Sequence, residues 1–295
     1  PTPGKPNEKK IEASHSENKS STKPNANSAS KVRINEYSTT KTQTILDSDG
    51  DFESWVELYN SGENDADLSG LFLSDDAANK EKWAFPNGCI IKSGGYLLVF
   101  LSGKEKEYKS GGELHAAFKL NGKEEKLYLF DKSKKELSSI EVFDLFSNLS
   151  CGIDSKGKTV FFSKSTPGAE NGASGFDKIE SAAKTKSKEL VITEVAAVNT
   201  TVSAPDGETR DYIELLNNSK SKINLKNYRL SDSKKAESFH KLPDYTVFPG
   251  EYCVIFCGNE TTVKENSVYC SIGLNRYGET VYLAEESGVI ADSLE

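Results

Sequence analysis

The densest set of groups able to do chemistry is Asp47-Ser48-Asp49-Gly50-Asp51-Phe52-Glu53. Hard cations take several carboxylate and carbonyl oxygens from one loop, so Asp47, Asp49, Asp51 and Glu53 are candidate calcium ligands. The spacing departs from the EF-hand, whose glycine follows the third acidic ligand, whereas Gly50 falls between the second and third. The same residues also make an Asx-type turn with no metal at all, because Asp side chains bond their own backbone. Asp206-Gly207-Glu208 with Asp211 partly repeats the cluster. Calcium is the one cofactor this sequence suggests.

Other reactive groups are sparse. Glu57 and Glu214 sit inside strand-like blocks at matching places, and Glu36 and Glu194 match likewise. Two carboxylates on paired strands can serve glycoside hydrolysis, and they can equally bond loop amides or a neighbouring lysine. His15, His115 and His240 are the only histidines and have no metal-ligand spacing. No Ser, His and Asp set recurs in both copies, and no glycine-rich loop precedes a helix. Trp83, Tyr96 and Tyr128 could stack on sugar faces, though such residues also fill a sandwich core or its rim. No catalytic residue is assigned, and the chain is read as a non-enzyme.

The elements that must position these groups come in two copies. Trp55-Val56-Glu57-Leu58-Tyr59-Asn60 returns as Tyr212-Ile213-Glu214-Leu215-Leu216-Asn217. The same offset carries Asp49-Gly50 onto Asp206-Gly207, Leu73-Ser74-Asp75 onto Leu230-Ser231-Asp232, and Pro86 onto Pro243 without a gap. A register that long marks two repeats of one unit.

Within the first unit, Val32 to Glu36 alternates as a strand and Ser38 to Asp51 is a long polar loop. Trp55, Glu57 and Tyr59 face one way, and Val56 and Leu58 the other. Leu68 to Leu73, Lys82 to Phe85, Leu127 to Phe130, Ile140 to Phe143 and Val160 to Phe162 are further strands. Tyr96 to Leu101 is apolar on both faces, which predicts a mid-sheet strand. Strands over Leu190 to Val195, Tyr212 to Asn217, Leu225 to Leu230, Tyr252 to Cys257 and Thr280 to Ala284 follow in the second unit. Ser293-Leu294-Glu295 matches Ser139-Ile140-Glu141, so no counterpart of Val142 to Gly168 is expected there, and the second sandwich either continues in the natural protein or exposes an edge. Only Asp177 to Lys188 has helical periodicity, through Ile179, Ala182 and Ala183.

Many short strands separated by Gly, Asn and Pro predict an all-β chain of two antiparallel β-sandwich domains in tandem. The expected bounds are a disordered Lys/Asn/Ser/Pro-rich leader over 1–30, a first sandwich over 31–172, a linker over 173–188 and a second sandwich over 189–295. The leader has too few apolar residues to repay the entropy of ordering and reads as a spacer.

Composition narrows the function. The net charge of −8 includes a leader with five Lys and three Glu, so the remainder carries −10, and no nucleic-acid partner is expected. No apolar run approaches the roughly 20 residues of a membrane helix. The chain has no Met and no apolar signal segment, which suggests a processed or trimmed polypeptide whose export signal has been removed. Five cysteines are too few for a disulfide scaffold and are read as buried thiols, with Cys89–Cys151, and Cys270 with Cys253 or Cys257, as the pairs to examine.

The sequence resembles the lamin tail domain family, in the form carried by bacterial secreted and surface proteins. The resemblance rests on Ile34-Asn35-Glu36, Asp49-Gly50-Asp51, Trp55 to Asn60, Leu68-Ser69-Gly70-Leu71, Leu73 to Asp76, Lys82-Trp83 with Phe85-Pro86, Gly94-Gly95-Tyr96, Glu113-Leu114-His115 and Ser165-Thr166-Pro167-Gly168. The second unit keeps Ile192-Thr193-Glu194, Tyr212 to Asn217, Leu230-Ser231-Asp232 and Leu274-Asn275, but Tyr212 and His240 stand where the family has Trp. The resemblance implies an immunoglobulin-like fold in each unit and carries no catalytic residues. It leads to the expectation of a non-catalytic interaction or spacer module, extracellular or at the cell surface, that docks a protein or glycan of the cell envelope or a neighbouring domain. The alternative is the accessory region of a secreted enzyme, such as a spore-coat H type kinase, a nuclease or another hydrolase, with its catalytic domain beyond residue 295.

Overall fold

The computed structural model describes residues 28–39, 42–104, 106–120, 125–145, 149–172, 175–185, 188–235 and 238–295. The leader up to residue 27, with His15, lies outside them, as do 173–174 and 186–187 of the expected linker. Each repeat is an immunoglobulin-like β-sandwich.

In the first unit the strands are β1 (Val32–Ser38), β2 (Ser54–Asn60), β3 (Ala66–Asp67), β4 (Phe72–Ser74), β5 (Trp83–Ala84), β6 (Ile90–Ile91), β7 (Tyr96–Leu101), β8 (Glu125–Phe130), β9 (Glu136–Val142), β10 (Ser150–Ile153) and β11 (Thr159–Phe162). A five-stranded sheet in the order β11-β10-β1-β2-β7 faces a four-stranded sheet, β5-β4-β8-β9, and β3 with β6 forms a small ribbon. Alternation along β2 sends Val56 and Leu58 into the core between the sheets, where they meet Ile34, Leu73, Val99, Leu127 and Cys151. Trp55, on the opposite face, joins a separate cluster with Ile45, Phe100 and Val289.

The second unit contains β12 (Leu190–Ala196), β13 (Tyr212–Asn217), β14 (Ile223–Asn224), β15 (Tyr228–Ser231), β16 (His240–Lys241), β17 (Thr246–Val247), β18 (Tyr252–Cys257), β19 (Thr262–Lys264), β20 (Ser267–Cys270), β21 (Val281–Glu285) and β22 (Ile290–Leu294). Its sheets run β12-β13-β18-β20-β19 and β16-β15-β21-β22, around a core that includes Ile213, Leu215, Leu230 and Ile255. Between the units, α1 (Ile179–Thr185) buries Ala182 and lays Ile179 on the first core.

Repeated residues do repeated work. Asn60 at the end of β2 donates from Nδ2 to the carbonyls of Asn64 (2.9 Å) and Ile91 (3.1 Å) and accepts the Gly62 N–H. Asn217 does the same with Ser221, Val247 and Ser219. Ser74 and Ser231 each accept an N–H two residues on, from Asp76 and Ser233, which turns the chain after β4 and β15.

Two sequence expectations need correction. Tyr96 to Leu101 lies at the end of its sheet, not the middle; beyond it run residues 114–116, tied through the Phe100 N–H to Leu114 O and the Ala116 N–H to Phe100 O, both 2.8 Å. Its second apolar face is needed because Phe100 and Leu98 pack with Ile45 and with Val289 of the second unit. The Leu68 to Leu73 and Leu225 to Leu230 stretches are strands only toward their ends, since each opens with a turn: Leu71 N–H bonds Leu68 O in the first, and 225–227 form a 3-10 turn capped by Asn224 in the second.

The units meet at this face. Ile45 and Val289 form an antiparallel bridge, Ile290 N–H donates to Thr44 O at 2.8 Å, and Lys164 pairs with Glu285 at 2.7 Å. Trp55 is fully buried at the centre, with its indole N–H on the Thr44 hydroxyl at 2.7 Å.

Candidate functional site

The acidic loop before β2 folds as a tight turn around the Asp47 carboxylate. Asp47 Oδ1 accepts the N–H groups of Asp49 (3.0 Å) and Asp51 (2.9 Å), and Gly50 N–H closes on Asp47 O. Gly50 has φ +83°, open to glycine without strain. Ligand oxygens of Asp47, Asp51 and Glu53 lie within 4.8 Å of one another, so the donor set suits a hard cation. A cation of the protein's own already stands there. Lys104, just beyond β7, places Nζ against Asp47, 2.8 Å from Asp51, 2.9 Å from Asp49 and 3.9 Å from Glu53, while Lys106 reaches Asp49 at 2.7 Å. Burial disfavours the charge on Lys104, but hydrogen bonds to Asp47, Asp51 and Asp49 outweigh it and hold the ammonium pKa above the ordinary lysine value. Hydrogen bonds from Lys106 and Lys104 lower the exposed Asp49 carboxyl to about 2. A calcium ion at these four carboxylates would have to displace Lys104.

The equivalent turn of the second unit keeps its backbone bonds, Ala204 N–H to Glu208 O and Gly207 N–H to Ala204 O, but Ala204 replaces Asp47. Asp206 is neutralised locally by Arg210 at 2.8 Å, from the position where the first unit has Glu53.

The matched glutamates fare differently. Glu36 and Glu57 are opposite one another on β1 and β2 and are both buried. Glu36 accepts the Ser150 hydroxyl and both the N–H (3.0 Å) and hydroxyl (3.1 Å) of Thr166. Glu57 accepts the Gly168 N–H and Asn35 Nδ2 (2.9 Å). Asn171 completes the network, receiving Asn35 Nδ2 at 3.0 Å and donating to the carbonyls of Asn35 (3.0 Å) and Ile153 (2.8 Å). With no cation among these partners, burial pushes the Glu36 carboxyl up to about 7 and that of Glu57 to about 8. The Ser165 to Gly168 loop is held by both carboxylates, and the pair clamps backbone amides. Glu194 and Glu214 are also opposite one another, but Glu194 is exposed and Glu214 half-buried; Glu194 accepts the Tyr212 hydroxyl (3.0 Å) and Glu214 the Thr193 hydroxyl (2.6 Å).

One array escaped the sequence reading. Ser102 Oγ lies 2.9 Å from His115 Nδ1, and His115 Nε2 lies 3.3 Å from Glu113 Oε2. This Ser-His-Glu order resembles an acyl-transfer triad, but Ser102 is 1% exposed and already accepts the Lys104 N–H, which leaves its oxygen no open face. The Glu113-Leu114-His115 alternation was the available signal; its partner Ser102 lies just beyond β7. The second unit places Tyr269 beside Phe256 where the first stacks His115 on Phe100. His240 instead bonds Ser271 at 3.1 Å.

The three aromatics considered for sugar stacking are not brought together, because Tyr96 is in the five-stranded sheet and Trp83 and Tyr128 in the four-stranded one. Tyr96 packs on Tyr59, Trp83 on Phe85 and Tyr128 on Phe130. All five cysteines are free thiols; Cys89 and Cys151 are in the first core, and Cys257 and Cys270 are opposed on parallel strands.

The lamin tail domain model matches residues 25–144 and 183–295. The chain belongs to the lamin tail domain family. The second match covers the second sandwich and the first covers β1 to β9 of the first, with β10 and β11 beyond it, so the residues repeated at constant offset are those of two lamin tail domains in tandem. No curated protein matches the chain. Solved structures of the exo-β-D-glucosaminidase CsxA match at 16% identity and a TM-score of 0.17, over 86% of this chain and 26% of theirs. The exo-chitosanase CsxA of Amycolatopsis orientalis, in complex with a β-D-glucosamine derivative, matches at 15% identity and a TM-score of 0.18, over 85% and 26%. The tandem lamin tail domains span about a quarter of the length of those proteins. No described helix is long and apolar enough to cross a membrane.

Proposed function

We propose that these tandem lamin tail domains are a non-catalytic interaction and spacing module of a bacterial extracellular or cell-surface protein, which docks a protein or glycan of the envelope or a neighbouring domain. The observation carrying this reading is the use made of Glu36 and Glu57: the best-placed carboxylate pair is spent on the amides of Thr166 and Gly168. Lys104 filling the acidic loop and the burial of Ser102 support it in the same sense. The acidic balance favours protein or glycan over nucleic acid as partner.

The test pairs two measurements on the purified chain. Phosphoester, glycoside and ATP substrates should show no turnover above buffer, and cross-linking to intact cell envelope should yield a defined, saturable partner. Turnover that disappears in Glu57→Gln while the fold persists would overturn the non-catalytic reading.

A further inference from the structure

Beside the Glu36 and Glu57 pair, the outer face of the five-stranded sheet in the first unit carries a second row. Arg33 of β1 stands opposite Tyr59 of β2, and Tyr59 opposite Tyr96 of β7. The two phenol rings are 4.8 Å apart, and the Arg33 guanidinium lies 5.3 Å from the centre of the Tyr59 ring. These three side chains line a cavity of about 400 Å³, within the range of small-ligand sites, which the segments after β10 and β11 complete with Asp154, Glu170 and Asn171. Asn171 donates from Nδ2 to the carbonyls of Asn35 (3.0 Å) and Ile153 (2.8 Å), so the network around Glu36 and Glu57 also fixes this wall. Arg33 Nε is buried without a hydrogen-bond partner, and among the described residues no carboxylate pairs with the guanidinium, although Asp154 and Glu170 line the same cavity. Asp154 is committed to its own turn, where it accepts the N–H groups of Lys156 and Lys158 at 2.9 Å. The sandwich does not need this row: the second unit builds it from Val191, Leu216 and Tyr252 in the same register.

We propose that this cavity binds a carboxylate-bearing sugar, a hexuronate unit of an acidic glycan, with its carboxylate on Arg33 and its ring face on Tyr59 and Tyr96. This rests on the docking reading above and chooses glycan over protein as the ligand. A planar guanidinium meets a carboxylate through two parallel hydrogen bonds, and Nε is one donor of that fork. The flat faces of the paired phenol rings suit the C–H face of a pyranose. Exposed Glu170 accepts hydrogen bonds and donates none, so it calls for hydroxyl donors, which a sugar ring offers beside its carboxylate. A neutral sugar would give Arg33 acceptors but no opposite charge, and the bond it made there would be the weaker kind.

The probes are methyl β-D-glucuronide and methyl β-D-glucoside, which differ only in a carboxylate for a hydroxymethyl group, titrated into the intact chain and followed by NMR. The glucuronide should shift the Arg33 Nε–H and the amides of Tyr59 and Tyr96, and should bind at least about tenfold more tightly than the glucoside. That preference is read on the wild type, without any variant. Arg33→Val should erase it, and Tyr59→Leu should weaken both sugars; each substitution installs the second unit's residue, and melting curves check that the fold persists. No shift at tens of millimolar sugar, equal affinity for the two sugars, acetate competing as well as the glucuronide, or Arg33→Val binding the glucuronide like wild type would each overturn the proposal. Failure here alongside an envelope partner captured equally by wild type and Arg33→Val sinks this site alone. Glucuronide binding as described, with no envelope partner, keeps the site and sinks the broader reading.

Discussion

At β1 two glutamates are sealed under a hairpin and a turn; at β12 the equivalent pair, Glu194 and Glu214, lies along an edge that no strand among the described residues takes. The local sequences, Ile34-Asn35-Glu36 and Ile192-Thr193-Glu194, are nearly interchangeable, so the difference lies in what covers them. A glutamate under cover becomes a buried acceptor for backbone amides, and one without cover is left to nearby hydroxyls. The acidic turns make the same point, since Lys104 arrives from beyond β7 in the first unit while Arg210 serves Asp206 from within its own loop in the second.

The largest expected effect separates the two cores. Trp55→Ala should cost about 4 kcal/mol, by the usual range for a fully buried Trp, and should lower both thermal transitions because its cluster includes Val289. Tyr212→Ala, whose cluster of Ala204, Phe256 and Tyr269 is internal to the second unit, should lower one transition only. Calorimetry of the two variants checks this; a Trp55→Ala effect confined to one transition would show that Trp55 does not bridge the units.

Next come the acidic turns. Lys104→Met leaves the fully buried Asp47 side chain without its cation and should cost about 3 kcal/mol in urea unfolding. Arg210→Met removes an exposed pair and should leave the urea midpoint nearly unchanged. Equal losses would erase the contrast drawn between the turns.

The sealed pair gives a pH signature. Glu36 and Glu57 are raised from 4.5 to about 7 and 8, so the folded chain holds these protons more tightly than the unfolded one. Their contribution is complete below pH 4.5 and is lost as pH rises through 7 and 8. The first unit should therefore lose stability progressively between pH 4.5 and 8 relative to Glu36→Gln with Glu57→Gln. A wild type whose pH profile parallels that of the double variant would contradict the burial argument.

The smallest effect is calcium. With Lys104 among the carboxylates, melting curves in calcium and in chelator should coincide for the wild type, whereas Lys104→Met should gain stability from calcium by mass action. A wild-type shift would mean that the ion displaces Lys104.

The sequence by itself determined the tandem repeat, the sandwich class and the faces of β2, because constant offset and alternation are local properties of the chain. It also offered Asp47 to Glu53 as a calcium loop or an Asx-type turn and paired Glu36 with Glu194. Only the tertiary structure decided that Lys104 completes the acidic turn, that Ser102 meets His115, that Tyr96 to Leu101 ends its sheet beside the second unit, and that one glutamate pair is sealed by backbone amides while the other bonds hydroxyls. Each of these depends on a segment from elsewhere in the chain reaching a strand edge or face. Which segment arrives there is settled by global packing, and the pattern within the strand itself carries no record of it.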